Sequence, residues 1–190
     1  MVNLKLKPPH RGQRVVLKEA DRFNVLACGR RWGKTDMGVE YLAIPKMLEA
    51  QPVGWFAPSY KLLEEAWEFM MRTLRPFGAH MQANKQERII RIPGGGSCAF
   101  WTLSNTTEGK SSAGRGRKYA RAVIDEAAHA RYLEADWTLA IRPTLSDLQG
   151  DAWFPSTPRG HNYFHKLWCK GENGVKGWRS WRMPTFSKLR

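Results

Sequence analysis

Residues Phe23 to Thr35 read FNVLACGRRWGKT, and this stretch decides the fold. Phe23, Val25, Leu26, Ala27 and Cys28 form a strand-like apolar run, a loop ending Gly33-Lys34-Thr35 follows, and a helical pattern begins at once. That order is the layout of a phosphate-binding loop. Backbone N–H groups of a tight loop wrap a phosphate, a helix N-terminus adds positive potential, Lys34 reaches the β- and γ-oxygens, and Thr35 supplies a hydroxyl to Mg²⁺. Counting back from Gly33 through the pattern G-x-x-x-x-G-K-S/T puts Cys28 in the first position. The loop is therefore a variant, with Gly29 one residue late and Arg30, Arg31 and Trp32 inside it. A second triplet, Gly109-Lys110-Ser111, also follows an apolar run, but SAGRGRK comes after it and no helix opens there to aim its dipole at a phosphate.

A chain of 190 residues makes one domain, or one with a small appendage, and is long enough to bury a core. Hydrophobic residues at 42% and charged residues at 25% are those of a soluble globular protein. The 31 basic residues against 17 acidic ones, a net charge of +14, make a polyanion the expected partner. Cys28, Cys98 and Cys169 are too few and too scattered for a disulfide framework or a metal pattern, which fits a reducing compartment. No apolar run approaches the roughly 18 residues of a membrane span, and the amino terminus lacks a signal-peptide core, so an intracellular protein without a membrane partner is expected.

Pro8-Pro9 interrupts a basic amino-terminal segment, and a short helix is expected from about His10. Gln13 on it is either an exposed helical glutamine or an amide placed to read an adenine edge. After Thr35 the pattern predicts helix to about Ile44, with Pro45 as a break or kink. Val53 to Ala57 reads as a buried strand, Leu62 to Phe77 as a helix, and Arg88 to Leu103 as a hairpin turning at Pro93-Gly94-Gly95-Gly96. Leu133 to Ile141 is a helix candidate ended by Arg142-Pro143, Asp151 to Thr157 a short strand, and His161 to Lys170 an amphipathic helix. The segment from Arg159 to Arg190 carries eight basic residues and Glu172 as its one acid.

Tyr119 to Glu126, YARAVIDE, is a buried parallel-strand pattern ending in two carboxylates. At the C-terminal end of such a strand beside a phosphate loop, Asp125 can hold the Mg²⁺ shell and Glu126 can orient or deprotonate a water. His129 reads as serving the following helix instead of a metal. Glu108 to Arg121 is either a solvated mobile loop or an anion-sensing one, and Ser156-Thr157 either an ordinary turn or hydroxyls that sense a γ-phosphate.

With these motifs in order, GRRWGKT, VIDEAAH and AIRPTLSDLQGDAWFPSTPRGHNYF, the chain resembles the ATPase domain of the large terminase subunit, the DNA-packaging motor of tailed bacteriophages, from about Pro9 to Phe164. The resemblance implies an α/β fold, an additional-strand (ASCE) P-loop NTPase with a mainly parallel central sheet flanked by helices. It implies Mg²⁺-dependent hydrolysis of ATP powering translocation of double-stranded DNA into a procapsid. Gln13 becomes the adenine-reading residue, with Gly29, Arg30, Arg31, Trp32, Gly33, Lys34 and Thr35 around the nucleotide. Arg30 is a charge stabiliser in cis, Thr35 and Asp125 hold Mg²⁺, Glu126 is the catalytic base, and Ser156, Thr157 and Pro158 form the coupling motif. Arg115, eleven residues before Glu126, is similar in placement to an arginine offered to a neighbour's nucleotide, with Arg117 and Lys118 as nearby alternatives.

The resemblance also implies a homo-oligomeric ring, a portal protein and a small terminase subunit as partners, and action in the host cytoplasm but not in the mature virion. Residues 1–22 are expected to be an adenine-side lead-in, 23–165 the P-loop core, and 166–190 a basic segment leading toward a nuclease domain this chain lacks. Without a second acidic cluster, DNA cleavage is not expected. The alternatives are a helicase-like translocase, a small P-loop kinase and a nucleotide-binding module without turnover.

Overall fold

The computed structural model of the chain describes residues 4–107 and 110–185. Helix α1 (Arg11–Lys18) precedes β1 (Phe23–Cys28), and α2 spans residues 34–48. Strand β2 (Pro52–Ala57) leads to α3 (Tyr60–Thr73), a 3₁₀ turn (Arg75–His80), β3 (Gln82–Asn84), β4 (Ile89–Arg91) and β5 (Ser97–Thr102). Strand β6 (Arg121–Ile124), α4 (residues 133–144), β7 (Asp151–Ser156), α5 (Tyr163–Glu172) and β8 (Trp178–Met183) complete the chain.

All eight strands form one sheet in the order β3-β4-β5-β2-β6-β7-β1-β8. From β5 to β8 every pairing is parallel, and β3 and β4 add an antiparallel edge. Strand β7 lies between β1 and β6, which is the additional strand the fold class requires. Both faces are covered, so the central strands are mostly apolar, with β1 buried at all six positions. Alternate residues feed two cores. Leu26, Trp55 and Trp153 pack with α2 and α3 on one face, and Val25, Phe56 and Phe154 pack with α4 and α5 on the other.

Three expectations need correction. Helix α2 does not stop near Ile44; it runs through Pro45 to Leu48 by way of a π-helical segment, Gly38–Ala43. Helix α4 repeats the device, with π turns over Asp136–Ile141 ahead of Pro143 and Arg142–Thr144 continuing the helix. A proline ring clashes with the carbonyl four residues back, and the wider π turn relieves that clash, so neither proline acts as a stop. Third, the chain beyond residue 165 is not only a basic segment. Strand β8 pairs in parallel with β1 along its whole length, from Phe23–Trp178 to Cys28–Met183. The hairpin of β4 and β5 forms as expected, with Ile92 N–H bonded to Gly96 C=O across its turn.

Candidate active site

The parallel strands β1, β6 and β7 end side by side, and their C-terminal ends carry the polar residues singled out above. The ladder between β6 and β7 stops at Val123–Trp153, and Pro155 offers no N–H to extend it. Beyond that point the chain after β6 and the chain after β7 face each other as hydrogen-bonding partners, not as strands.

The loop after β1 is built as a phosphate cradle. Gly33 takes φ = 95°, a value closed to most residues, and Arg31 takes φ = 60°. These left-handed turns bend the chain so that α2 opens directly at Lys34. Trp32 is fully buried although it lies in the loop, held by the edge of the His10 ring at 4.7 Å and by His10 Nε2 on the Trp32 carbonyl at 2.9 Å. His10 also caps α1 through a reciprocal pair with Gln13. Gln13 Oε1 accepts from the His10 N–H at 3.1 Å and Nε2 donates to the Gly33 carbonyl at 3.1 Å. One donor and one lone pair of that amide remain for other partners. The motif's late glycine has a local cause. A Cβ on Gly29 would stand 2.2 Å from Thr185 Oγ1, and that hydroxyl donates to the Arg30 carbonyl at 3.0 Å while Gly29 N–H reaches Met183 C=O at 3.1 Å. The end of β8 closes over the start of the loop.

Lys34 is buried and its ammonium has three partners: the Gly29 carbonyl at 3.3 Å, Thr157 Oγ1 at 3.0 Å and Glu126 Oε1 at 3.2 Å. Thr35 Oγ1 donates to Asp125 Oδ2 at 3.2 Å. Glu126 has a left-handed backbone (φ = 49°), which turns its carboxylate from the sheet toward β7. Its Oε2 accepts from the Thr157 N–H at 2.9 Å and from Ser156 Oγ at 3.3 Å, and His129 Nε2 lies 3.8 Å away. Ser156 Oγ in turn accepts from the Ala128 N–H at 2.9 Å, so the two loops are stitched in both directions. Burial, reinforced by the neighbouring Glu126 charge, pushes the Asp125 carboxyl up to about 7 against the opposing Thr35 hydrogen bond. A hard divalent cation is the usual counter-charge for such a group, and the Thr35 hydroxyl with the Asp125 carboxylate is an all-oxygen donor pair suited to Mg²⁺.

The structure thus brings Lys34, Thr35, Asp125, Glu126, Ser156 and Thr157 into one hydrogen-bonded group, with Gly29 and Gly33 on the loop beside it and Gln13 of α1 bonded to that loop. It does not bring Arg30 or Arg115 into that group. The Arg30 side chain is exposed while its carbonyl accepts from Thr185, and Arg115 is exposed on the loop before β6. Pro158 lines a separate small cavity of about 230 Å³ with Ala27, His165 and Arg182. In the sequence, His10 reads only as the start of a helix, and Met183 and Thr185 carry no role. The His10 to Gln13 spacing of a capping box was the one legible trace.

No protein-family model matches the chain. In sequence it is 28% identical over 162 residues to the terminase large subunit of Escherichia phage T5, covering 84% of this chain and 36% of that protein. It is 25% identical over 181 residues to the terminase large subunit of Thermus virus P23-45, covering 87% of this chain and 37% of that one. The chain therefore spans little more than a third of the relatives it matches. Among solved structures, the large terminase ATPase domain of Thermus phage P74-26 superposes with a TM-score of 0.77 at 18% identity, covering 96% of this chain and 83% of that one. A large terminase from a thermophilic bacteriophage, solved in complex with ADP, gives 0.71 at 18% identity, covering 95% and 47%. In sequence, then, the chain is similar to phage terminase large subunits, and its fold is that of a large terminase ATPase domain.

Proposed function

We propose that this chain binds ATP at the loop after β1 and hydrolyses it, and that the hydrolysis drives double-stranded DNA through a packaging motor. The observation that carries the chemistry is the convergence of Lys34, Thr35, Asp125 and Glu126 at one edge of the sheet, with Glu126 held by Thr157, Ser156 and Lys34. The loop amides and Lys34 hold the β- and γ-phosphates, and Gln13 offers its remaining donor and acceptor to the adenine. Thr35 and Asp125 would hold Mg²⁺, which when bound supplies charge neutralisation along the phosphates.

Glu126 positions the attacking water and takes its proton. Its Oε1 is paired with Lys34. A phosphate that draws the Lys34 ammonium toward itself frees that oxygen, so entry of the substrate and arming of the base are one event. Thr157 donates to Glu126 and to it Lys34 donates, so a change at either reaches the backbone of β7. That is the coupling role of Ser156, Thr157 and Pro158 in this reading. Arg30 stabilises transition-state charge from within the loop, and Arg115 does so for a neighbouring subunit's nucleotide in a ring. The motor works with a portal protein and a small terminase subunit in the host cytoplasm.

The test follows free phosphate from wild type and Glu126→Gln across protein concentration, with and without double-stranded DNA. Glu126→Gln keeps nucleotide affinity and loses about 10²- to 10⁴-fold or more in rate, the usual worth of a general base. Lys34→Ala loses nucleotide affinity as well. If nucleotide binds and no phosphate appears from wild type under any condition, the chain is a binding module. If the phosphate is found on an added acceptor, it is a kinase.

A further inference from the structure

The described residues of the basic loop before β6 are anchored at several points. Asp136, in α4, is fully buried, and its Oδ1 accepts hydrogen bonds from both Thr106 Oγ1 and Ser111 Oγ. These hydroxyls flank the pair Thr107 and Lys110, which exchange backbone hydrogen bonds at 3.1 and 3.0 Å ahead of the turns that carry Arg115. Farther along, Ala113 is buried and Gly114 (φ = 78°) lies on the Phe56 ring, which a Cβ would meet at 3.1 Å. The loop closes at Tyr119, buried edge-on to Phe56, with its hydroxyl accepting from Trp101 Nε1 at 2.7 Å.

Between these anchors residues 115–118 are exposed, wound into two tight turns by Arg115 N–H on Ser112 C=O and Arg117 N–H on Gly114 C=O, each at 3.1 Å. Lys118 is committed to Asp147 at 2.7 Å. The guanidinium groups of Arg115 and Arg117 have no ion pair among the described residues. A buried carboxylate is an expensive way to hold a loop if stability is all that is needed, since apolar packing would do so at lower desolvation cost. Asp136 Oδ2 has no hydrogen-bond partner among the described residues, which adds to that cost.

We propose that Asp136 is a positioning residue, which holds the loop through Thr106 and Ser111 so that an arginine at its tip, Arg115, is presented to a neighbouring subunit's nucleotide. This rests on the trans role given to Arg115 above. Presentation from a rigid rim avoids ordering a flexible loop at each encounter. It also sets the arginine's anchor close in sequence to the subunit's own base, because α4 follows Glu126 in the chain.

A subunit-mixing assay tests it. The acceptor is Arg115→Ala, which keeps Lys34 and Glu126; donors all carry Glu126→Gln and so offer Arg115 without turning over. Free phosphate is followed with double-stranded DNA present. A donor with Glu126→Gln alone restores the acceptor's turnover, as does one with Thr106→Ser added. A donor with Thr106→Val and Ser111→Ala restores at least about tenfold less, a small part of the 10³ to 10⁵ a trans arginine can supply, while its own nucleotide affinity is unchanged. If the Thr106→Val/Ser111→Ala donor rescues fully, the positioning role is wrong and the trans arginine stands. If that donor loses nucleotide affinity along with rescue, the residues are only structural and the proposal falls. If the simple donor does not rescue, the trans role itself fails and takes the proposal with it.

Discussion

At the scale of single residues, the site is built from positions where the backbone is held away from its easiest conformations. Glu126 and Arg31 are non-glycine residues with left-handed φ, each costing of order 1 kcal/mol or more. Glu126 is held there by the hydrogen bonds from Thr157 and Ser156 that also aim its carboxylate. Cys28 occupies the position where the usual loop has its first glycine. Burial pushes its thiol up to about 12, so it packs as a neutral side chain. The glycine is needed one residue later, where Thr185 approaches. Gly29→Ala is expected to destabilise the chain by about 1–3 kcal/mol, the cost of overpacking, and to weaken nucleotide binding because the strain falls on the loop. Adding Thr185→Ala removes the hydroxyl a Cβ would strike but leaves the Thr185 backbone nitrogen 3.1 Å from it, so it should restore part of both losses. Denaturant midpoints and nucleotide titrations of the two variants check this; a neutral Gly29→Ala would mean that Thr185 does not sit on the loop.

At the scale of elements, β8 makes the phosphate loop's strand an interior one. Trp181 stacks on Trp153 at 6.3 Å with the rings 4° from parallel, and its Nε1 donates to Glu19 Oε2 at 3.0 Å. Trp178 packs against Phe23 and Trp137 on the opposite face. Trp181→Ala should therefore cost about 3–5 kcal/mol, read from urea unfolding, and Trp178→Ala should act in the same direction. A Trp181→Ala variant within about 0.5 kcal/mol of wild type, the range of an ordinary surface change, would make β8 an appendage and not part of the core. This strand was illegible in the sequence because WRSWRM alternates tryptophan with arginine and serine, with no apolar run. It is an edge strand, paired on one side, and edges carry charge to discourage further pairing. The prolines misled for a different reason, since a helix can absorb one by widening ahead of it. The strand, loop and helix from Phe23 onward and the strand ending Asp125-Glu126 were legible because their apolar runs meet polar residues at a fixed edge. The roles of Asp136 and Thr185 depend on contacts made by folding, and no spacing announces those; of His10's contacts, only the capping box with Gln13 has a spacing to read.

At the scale of the whole molecule, the net charge of +14 is the property that the nucleotide site does not account for. Arg30 and Arg31 at the loop rim can draw in a polyphosphate, but the excess is spread along the chain, from the amino-terminal segment to α5 and β8. A motor that moves DNA of any sequence must hold the backbone and ignore the bases, so contacts to phosphate should dominate. Binding measured by anisotropy on two duplexes of equal length and unrelated sequence should give nearly equal affinities at each salt concentration. Log K against log salt should be linear and steep, near −0.9 for each phosphate neutralised, so that about 6–10 contacts remove about 10³- to 10⁵-fold in affinity between 50 and 200 mM salt. Because the nucleotide site lies at the sheet edge and charge is distributed elsewhere, Glu126→Gln should leave that slope unchanged. A shallow slope, or a clear preference between the duplexes, would place recognition in a few specific contacts and separate the basic surface from any role in translocation.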